Sequence, residues 1–131
     1  MVACSILVVD DEPEIRELLQ ILLSGAGHSV TCAKDGRDGS RAMKTQAFDI
    51  VITDLLMPER DGLQFIADLR TNHPGVRIVA MSGGGHIARE QYLKLAKAFG
   101  AHVLLDKPFE AKTVLDAIEA AGKQVREAPK P

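Results

Sequence analysis

Short apolar runs rich in β-branched residues recur along the chain and alternate with segments of helical periodicity. The runs are bounded by glycine, proline, aspartate or serine, as strands usually are. They predict strands at Cys4–Val9, Ser29–Ala33, Ile50–Thr53, Val76–Met81 and His102–Leu105. After each strand, apolar positions spaced three and four apart predict an amphipathic helix.

The predicted helices differ in the strength of this pattern. The first begins with Pro13 in its first turn, where the missing N–H is harmless, and ends at Gly25. Its inner stripe consists of Ile15, Leu18, Leu19, Leu22 and Leu23. The second opens at Asp35-Gly36 and is weakened by Gly39. Its inward-facing residues are predicted to be Ala42, Met43 and Phe48. The others are Leu63–Arg70, Ile87–Phe99 and a last helix with Ala111, Val114, Leu115 and Ile118 inside.

Strands that alternate with helices are typical of βαβ units, which build a parallel sheet covered by helices on both faces. The 131 residues suffice for one such domain. The strand Ser29–Ala33 is the least apolar, which places it at an edge of the sheet. We therefore predict a flavodoxin-like α/β fold with a parallel five-stranded sheet in the order 2-1-3-4-5. Residues 1–122 form the predicted domain, and the polar, proline-containing segment 123–131 is interpreted as a tail or linker.

The composition argues against several classes of protein. Sixteen basic and eighteen acidic residues give a formal charge of −2, which does not suit a nucleic-acid-binding surface. No apolar run approaches the length of a membrane span, and the first residues lack the basic flank of a signal peptide. We therefore expect a cytoplasmic protein that binds no membrane and, by itself, no nucleic acid. Cys4 and Cys32 are predicted to be reduced, since their offset on neighbouring strands separates them by about 13 Å.

Polar residues capable of chemistry follow four of the predicted strands. Asp10 and Asp11 follow the first strand, Asp54 the third, Ser82 the fourth, and Lys107 stands just beyond the fifth. Open α/β folds bind their ligands at the carboxyl ends of the strands, so we expect these side chains to converge. Each has a simpler explanation when taken alone: a helix cap, a flexible turn or a solvated lysine. Their occurrence together favours a site.

Clustered carboxylates indicate a bound cation. Two like charges about 4 Å apart repel by about 4 kcal/mol at an effective dielectric constant of about 20. Mg²⁺ prefers oxygen ligands and would relieve this repulsion, with Mn²⁺ as an alternative. Such an ion and the ammonium of Lys107 would together neutralise the oxygens of a phosphoryl group. Asp54, at the end of the central strand, is the predicted nucleophile, and Asp10 and Asp11 are the predicted metal ligands.

These residues resemble the motifs of a known family, the receiver domain of two-component response regulators. The matching residues, in order, are Asp10-Asp11, Asp54, Met57-Pro58, Asp61-Gly62, Ser82-Gly83 and Lys107-Pro108-Phe109. The resemblance extends from Ser5 to about Gly122. It implies that Asp54 accepts a phosphoryl group from the phosphohistidine of a sensor histidine kinase or of a phosphotransfer protein.

The same resemblance implies roles for further residues. The metal ligands would be Asp10, Asp11, Asp54 and the backbone carbonyl of Leu56. Ser82 and the N–H of Gly83 would bind the phosphoryl oxygens, and Lys107 would pair with them. The peptide bond between Lys107 and Pro108 would be cis. The domain would be no enzyme beyond catalysing its own phosphorylation and slow dephosphorylation.

Leu104 departs from the family pattern. Three positions before the lysine, the family usually carries an aromatic residue that moves inward as the hydroxyl engages the phosphoryl group. Here a leucine stands at that position, and the only tyrosine of the chain is Tyr92. Our hypothesis is that phosphorylation is read out through the loop Gly83–Gly85 and the helix after it, with Leu104 serving as packing.

Two other functions remain as alternatives. A receiver-like module that binds partners without phosphorylation would fit Leu104, but it would not explain the intact set of acids, serine and lysine. A phosphohydrolase with an aspartyl nucleophile is disfavoured, because Leu56 stands where haloacid-dehalogenase-type enzymes carry a second acid. The downstream target is not predicted by the sequence, and a homodimer through the fourth and fifth helices is one arrangement that it allows.

Overall fold

The computed structural model of the chain describes residues 3–54, 62–82, 89–98 and 100–126. Strands and helices alternate throughout. The strands are β1 Ser5–Val9, β2 Ser29–Ala33, β3 Ile50–Asp54, β4 Arg77–Ser82 and β5 Val103–Asp106. The helices are α1 Pro13–Gly25, α2 Gly36–Thr45, α3 Gly62–Asn72, α4 Arg89–Ala98 and α5 Ala111–Arg126. Among the described residues, none of these helices has the length and apolar character that a membrane crossing requires.

The strands form one parallel sheet in the order β2-β1-β3-β4-β5, which confirms the predicted fold class and topology. Every residue of β3 is buried, whereas β2, at the edge, is largely half-buried. This difference accounts for the weaker apolar pattern of β2, since only strands covered on both faces need to be apolar throughout. Parallel pairing brings the carboxyl ends of the strands to one edge of the sheet, here termed the carboxyl edge. The opposite edge is termed the amino edge.

Apolar side chains form a core cluster on each face of the sheet. One cluster joins strand residues such as Leu7 and Val51 to α2, α3 and α4. The other joins Ile6 and Ile52 to α1 and α5. Successive residues of a strand point to opposite faces, so a continuous apolar run supplies both clusters. Cys4 and Cys32 border the second cluster as half-buried thiols that form no disulfide with each other, as predicted.

Several predicted boundaries differ from those observed. β1 begins one residue later than predicted, and β4 and β5 both lie one residue further along the chain. The assignment of Phe48 to the second helix was wrong, because α2 ends at Thr45 and the backbone is extended at Gln46. Phe48 is nevertheless buried, in the segment that leads into β3. At the other end of the chain, α5 continues to Arg126, past Gly122, where the sequence suggests that the tail begins.

Gly39 allows α2 to approach the sheet closely. A methyl carbon at this position would lie 3.0 Å from Cζ of Phe65 and 3.1 Å from Cγ2 of Val9. Both neighbours are fully buried and cannot move aside. The glycine that weakens the helical pattern in the sequence is therefore required by packing. It lies against Val9, the residue before Asp10.

We predict that Gly39→Ala lowers the free energy of unfolding. Overpacking of a rigid core typically costs about 1–3 kcal/mol, whereas alanine gains about 1 kcal/mol over glycine inside a helix. We expect a net loss of about 1 kcal/mol, measured by urea unfolding. The matched control is Gly25→Ala in α1, where no atom lies within 4 Å of the added carbon and stability should be equal or higher. A Gly39→Ala protein as stable as the Gly25→Ala protein would contradict this account.

Side chains at the amino edge accept hydrogen bonds from strand backbones. His28, just before β2, accepts from the N–H of Cys4 through Nδ1 at 3.0 Å. His102, just before β5, accepts from the N–H of Ile78 through Nδ1 at 3.0 Å. Each histidine thus ties an outer strand to its inner neighbour. Burial lowers the pKa of both imidazoles, and the guanidinium of Arg77, 3.0 Å from Nε2 of His102, lowers the pKa of that ring further.

We predict that stability falls on mild acidification. The pKa of each ring lies below its ordinary value of 6.5, so the neutral ring stabilises the fold above that pH. This stabilisation is lost as the pH falls from 6.5 towards the pKa of the folded protein, because protonated Nδ1 leaves a strand N–H without its acceptor. Urea unfolding between about pH 7.5 and 5.5 should show a decrease of about 1–3 kcal/mol.

The control for this prediction is substitution of single histidines by glutamine. His28→Gln and His102→Gln should each flatten the pH dependence. His73→Gln should leave it unchanged, since the His73 ring makes no hydrogen bond within the part of the chain that the structure describes. Equal pH dependence in all three variants would show that the amino-edge histidines are not responsible.

Candidate functional site

Two buried aspartates lie side by side at the carboxyl edge. Asp54 is the last residue of β3, and Asp10 directly follows β1. Because Val9 pairs with Thr53 in the parallel register, the next residues of the two strands are neighbours. Asp10 is fully buried and Asp54 is 7% exposed. Two carboxylates so removed from water require partners that compensate their charge.

Lys107 supplies that compensation. Its Nζ lies 2.9 Å from Oδ2 of Asp10, 3.0 Å from Oδ2 of Asp54 and 3.2 Å from Oε1 of Glu12. Lys107 follows β5, and its peptide bond to Pro108 is cis, as the sequence resemblance implies. The side chain of Lys107 is 10% exposed and reaches across β4 to the ends of β1 and β3. The predicted convergence of Asp10, Asp54 and Lys107 is therefore observed.

Hydrogen bonds fix both carboxylate oxygens and the backbone of Asp10. Its Oδ1 accepts from the N–H of Glu12 at 2.8 Å, while Oδ2 accepts from Lys107. Its backbone carbonyl accepts from Nη1 of Arg16 at 2.8 Å, and its N–H donates to the carbonyl of Ala33. The turn between β1 and α1 is thereby fixed, and with it the direction of the Asp10 carboxylate.

Burial and the neighbouring charges have opposite effects on the pKa of Asp10 and on the pKa of Lys107. For Asp10, burial raises the pKa and outweighs the lowering by the hydrogen bonds from Lys107 and from the Glu12 N–H. For Lys107, burial lowers the pKa, but the hydrogen bond to Asp10 and the negative charges of Asp54 and Asp10 prevail. The pKa of Lys107 consequently lies above its usual value. Lys107 is therefore a fixed positive charge at physiological pH.

The acidic residues of the edge form a group suited to a metal ion. Asp10, Asp11, Glu12 and Asp54 each offer a carboxylate oxygen, and these atoms all lie within 4.8 Å of one another. Asp10 and Asp54 are buried at the inner side, whereas Asp11 and Glu12 are exposed. A set made only of carboxylate oxygens and open to water on one side fits Mg²⁺ or Mn²⁺, which keep several waters. The residues present thus fit the predicted cofactor.

Glu12 is a site residue that the sequence analysis missed. In the sequence, Pro13 marks the first turn of the first helix, and Glu12 was assigned no role. The backbone of Glu12 does begin α1, but its side chain does not cap the helix and contacts Lys107 instead. Asp11 does not cap the helix either, so that simpler explanation of Asp11 is wrong. Glu12 belongs to the same short turn as Asp10-Asp11, and this adjacency in the sequence could have identified it as a site residue.

The remaining predicted site residues lie on β4, on β5 or outside the described residues. Ser82 is the last residue of β4, and its backbone pairs with Asp106 at the carboxyl edge. Leu104 lies on β5, pairs with Ala80 and packs half-buried against the core cluster of α2, α3 and α4. The side chain of Ser82 and the residues Leu56 and Gly83 lie outside the part of the chain that the structure describes.

Comparison with known proteins identifies relatives of this arrangement. The sequence family described as response regulator receiver domain matches residues 6–119. The transcriptional regulatory protein GlrR of Escherichia coli is 33% identical over 119 residues, which are 91% of this chain and 26% of that protein. Protein PetR of Rhodobacter capsulatus is 35% identical over 123 residues, covering 94% of this chain and 50% of PetR. The chain thus spans about a quarter to a half of the length of these relatives.

Solved structures show the same architecture. The chemotaxis response regulator CheY4 of Vibrio cholerae superposes with a TM-score of 0.83 and 29% identity, covering 92% of this chain and 99% of that chain. The sheet order, the acidic residues of the carboxyl edge and the sequence match over residues 6–119 agree with one another. The chain therefore belongs to the family of response regulator receiver domains of two-component systems.

Proposed function

We propose that this domain accepts a phosphoryl group on Asp54 from the phosphohistidine of a sensor histidine kinase or a phosphotransfer protein, in a Mg²⁺-dependent reaction. The observation that carries the proposal is the position of Asp54. It stands at the end of the central strand, 3.0 Å from the Lys107 ammonium and within a group of carboxylates suited to a divalent cation. A nucleophile beside two sources of positive charge is the arrangement that phosphoryl transfer requires.

In the proposed reaction, a carboxylate oxygen of Asp54 attacks the phosphorus in line with the bond to the partner's histidine. A P–O bond forms, the P–N bond breaks, and the released imidazole nitrogen takes up a proton. Lys107, already held beside Asp54, pairs with the phosphoryl oxygens. Ser82 and the N–H of Gly83 complete the set of groups that bind these oxygens. Positioning and charge neutralisation supply most of the catalysis in reactions of this class.

The proposed metal ligands are Asp10, Asp11, Asp54 and the backbone carbonyl of Leu56. When bound, Mg²⁺ or Mn²⁺ neutralises negative charge that accumulates on the phosphoryl oxygens. The buried carboxylate of Asp10, fixed through the Glu12 N–H, gives one side of the site its shape. Glu12, at 53% side-chain exposure, is not assigned as a direct ligand.

The domain acts in this proposal as a switch and not as an enzyme with turnover on free substrates. The receiver boundary at residue 122 and the tail or linker of residues 123–131 stay predictions from the sequence, and α5 itself continues to Arg126. Phosphorylation alters the surface presented to a downstream target, with a homodimer through α4 and α5 as one such assembly. A cytoplasmic location remains a prediction from the sequence.

Intact-mass measurement after incubation with acetyl phosphate tests the proposal. We expect one added phosphoryl group in the presence of Mg²⁺ and none when the metal is chelated. Asp54→Asn should remove the adduct. Asp116→Asn, which changes an exposed aspartate paired with Lys112 on α5, should leave it intact. No adduct on the folded, metal-supplied protein would favour a receiver-like module that acts without phosphorylation, and multiple turnover of small phosphate esters would favour a phosphohydrolase.

We also predict that Lys107→Ala makes stability depend more strongly on Mg²⁺. Without the ammonium, carboxylates of Asp10, Asp54 and Glu12 repel one another, and breaking such a buried pair costs on the order of 2–3 kcal/mol. Mg²⁺ binds the same oxygens, so it should stabilise Lys107→Ala more than the wild type in thermal unfolding.

Lys112→Ala is the matched control for this change. Lys112 also pairs with an aspartate, at 2.8 Å, but its side chain is 84% exposed. Its removal should alter neither the stability nor the response to Mg²⁺ appreciably. An equal gain from Mg²⁺ in wild type and in Lys107→Ala would contradict a metal site beside Lys107.

A further inference from the structure

Tyr92 occupies an unusual position behind the site. It is the only tyrosine of the chain, which has no tryptophan. Although it lies on α4, its side chain is 3% exposed and packs in the core cluster that also contains Ala80 and Ala96. Its hydroxyl donates a hydrogen bond to the backbone carbonyl of Met81. The phenol therefore connects α4 to the end of β4 through a directed, buried bond.

The acceptor of this bond adjoins the proposed phosphorylation site. Met81 pairs with Asp54 in the register of β3 and β4. Its carbonyl belongs to the peptide group whose nitrogen is that of Ser82, the residue proposed to bind the phosphoryl oxygens. A movement of Ser82 towards a phosphoryl group on Asp54 would rotate or shift this peptide group. Because the Tyr92 hydroxyl donates to this carbonyl, the movement would change its hydrogen bond directly.

Tyr92 is also the main inner anchor of α4. Among the residues of α4 whose side chains the structure describes, Tyr92 and Ala96 are the buried ones. Alanine is small and has no polar group, so it cannot fix the position of the helix along the strand. A displaced or broken bond between Tyr92 and Met81 would consequently change the position of α4. The exposed residues of that helix include Glu90, Gln91, Lys94 and Lys97.

Leu104 cannot take this role. It pairs with Ala80 and packs against the same core cluster as Tyr92, but its side chain forms no hydrogen bond. Within the described residues, α4 thus supplies the aromatic side chain that bonds to the end of β4, and β5 supplies the aliphatic Leu104.

We propose that Tyr92 is the residue through which phosphorylation of Asp54 is transmitted to α4, an inference that rests on the proposed function. Tyr92 is a positioning residue and does not touch the phosphoryl group. It couples the Met81–Ser82 peptide group to α4, and the exposed face of α4 is the surface whose position depends on phosphorylation.

The sole tyrosine permits a direct test on the unmodified protein. Intrinsic emission on excitation of tyrosine reports only on Tyr92, and the emission of a phenol depends on its hydrogen bonding. We expect the emission to change when Mg²⁺ and acetyl phosphate are added, in proportion to the phosphorylated fraction found by intact mass in the same sample. Asp54→Asn should show no change.

A second test uses Tyr92→Phe, which removes the hydroxyl and keeps the ring. The amide resonances of residues 89–98 should move on phosphorylation of the wild type, and in Tyr92→Phe this displacement should fall by about half or more. Resonances of residues 51–54 should still respond. Thr71→Val is the control, because it removes a hydroxyl that bonds to the carbonyl of Ala67 at 3.1 Å on α3.

The outcomes separate the two proposals. Phosphoryl uptake with unchanged tyrosine emission, or with equal α4 displacements in wild type and Tyr92→Phe, would overturn the role of Tyr92 and leave the proposed function standing. Absence of uptake would refute the proposed function and, with it, this inference. If Tyr92 only packs in the core and transmits nothing to α4, phosphoryl uptake should occur with equal α4 displacements in wild type and Tyr92→Phe.

Discussion

Electrostatic repulsion among carboxylates at the carboxyl edge is the constraint on which the site depends. Asp10 and Asp54 are both buried, and a cation held between them compensates their negative charge. The ammonium of Lys107, which reaches across β4 to within 3.0 Å of both carboxylates, is such a cation. The same concentration of negative charge that demands this contact also makes the edge attractive to a divalent ion.

The parallel topology brings together residues that are distant in the sequence. Asp10, Asp54 and Lys107 are far apart in the chain, but each follows or ends a strand of the same sheet. Placing β1 and β3 side by side in the middle of the sheet leaves their carboxyl ends adjacent. Packing reinforces the arrangement, because Gly39 lets α2 lie directly on Val9, the residue before Asp10.

Much of the fold and the centre of the site could be predicted, because both depend on periodicity and strand order. β1, β3 and β4 contain continuous apolar runs, whereas β2 is less apolar, and this difference placed β2 at an edge and favoured the observed sheet order. The failures were local. The assignment of Phe48 to α2 failed because burial alone does not distinguish a helix from the segment after it, and Thr45 carries no stop signal. The role of Glu12 was not predicted, because a charged residue before proline also suits the start of an ordinary helix. The bond between Tyr92 and Met81 depends on tertiary packing that sequence spacing does not encode.

The histidines of the amino edge have a consequence for how motion is distributed over the sheet. Both outer strands pair with their neighbours along their length, and at the amino edge His28 and His102 add side-chain hydrogen bonds to the backbones of Cys4 and Ile78. These additional bonds lie at the edge of the sheet remote from Asp54. Small adjustments at the carboxyl edge can then tilt the ends of β4 and β5 without loosening their pairing at the base. The sheet can in this way remain folded as a unit while its functional edge changes shape.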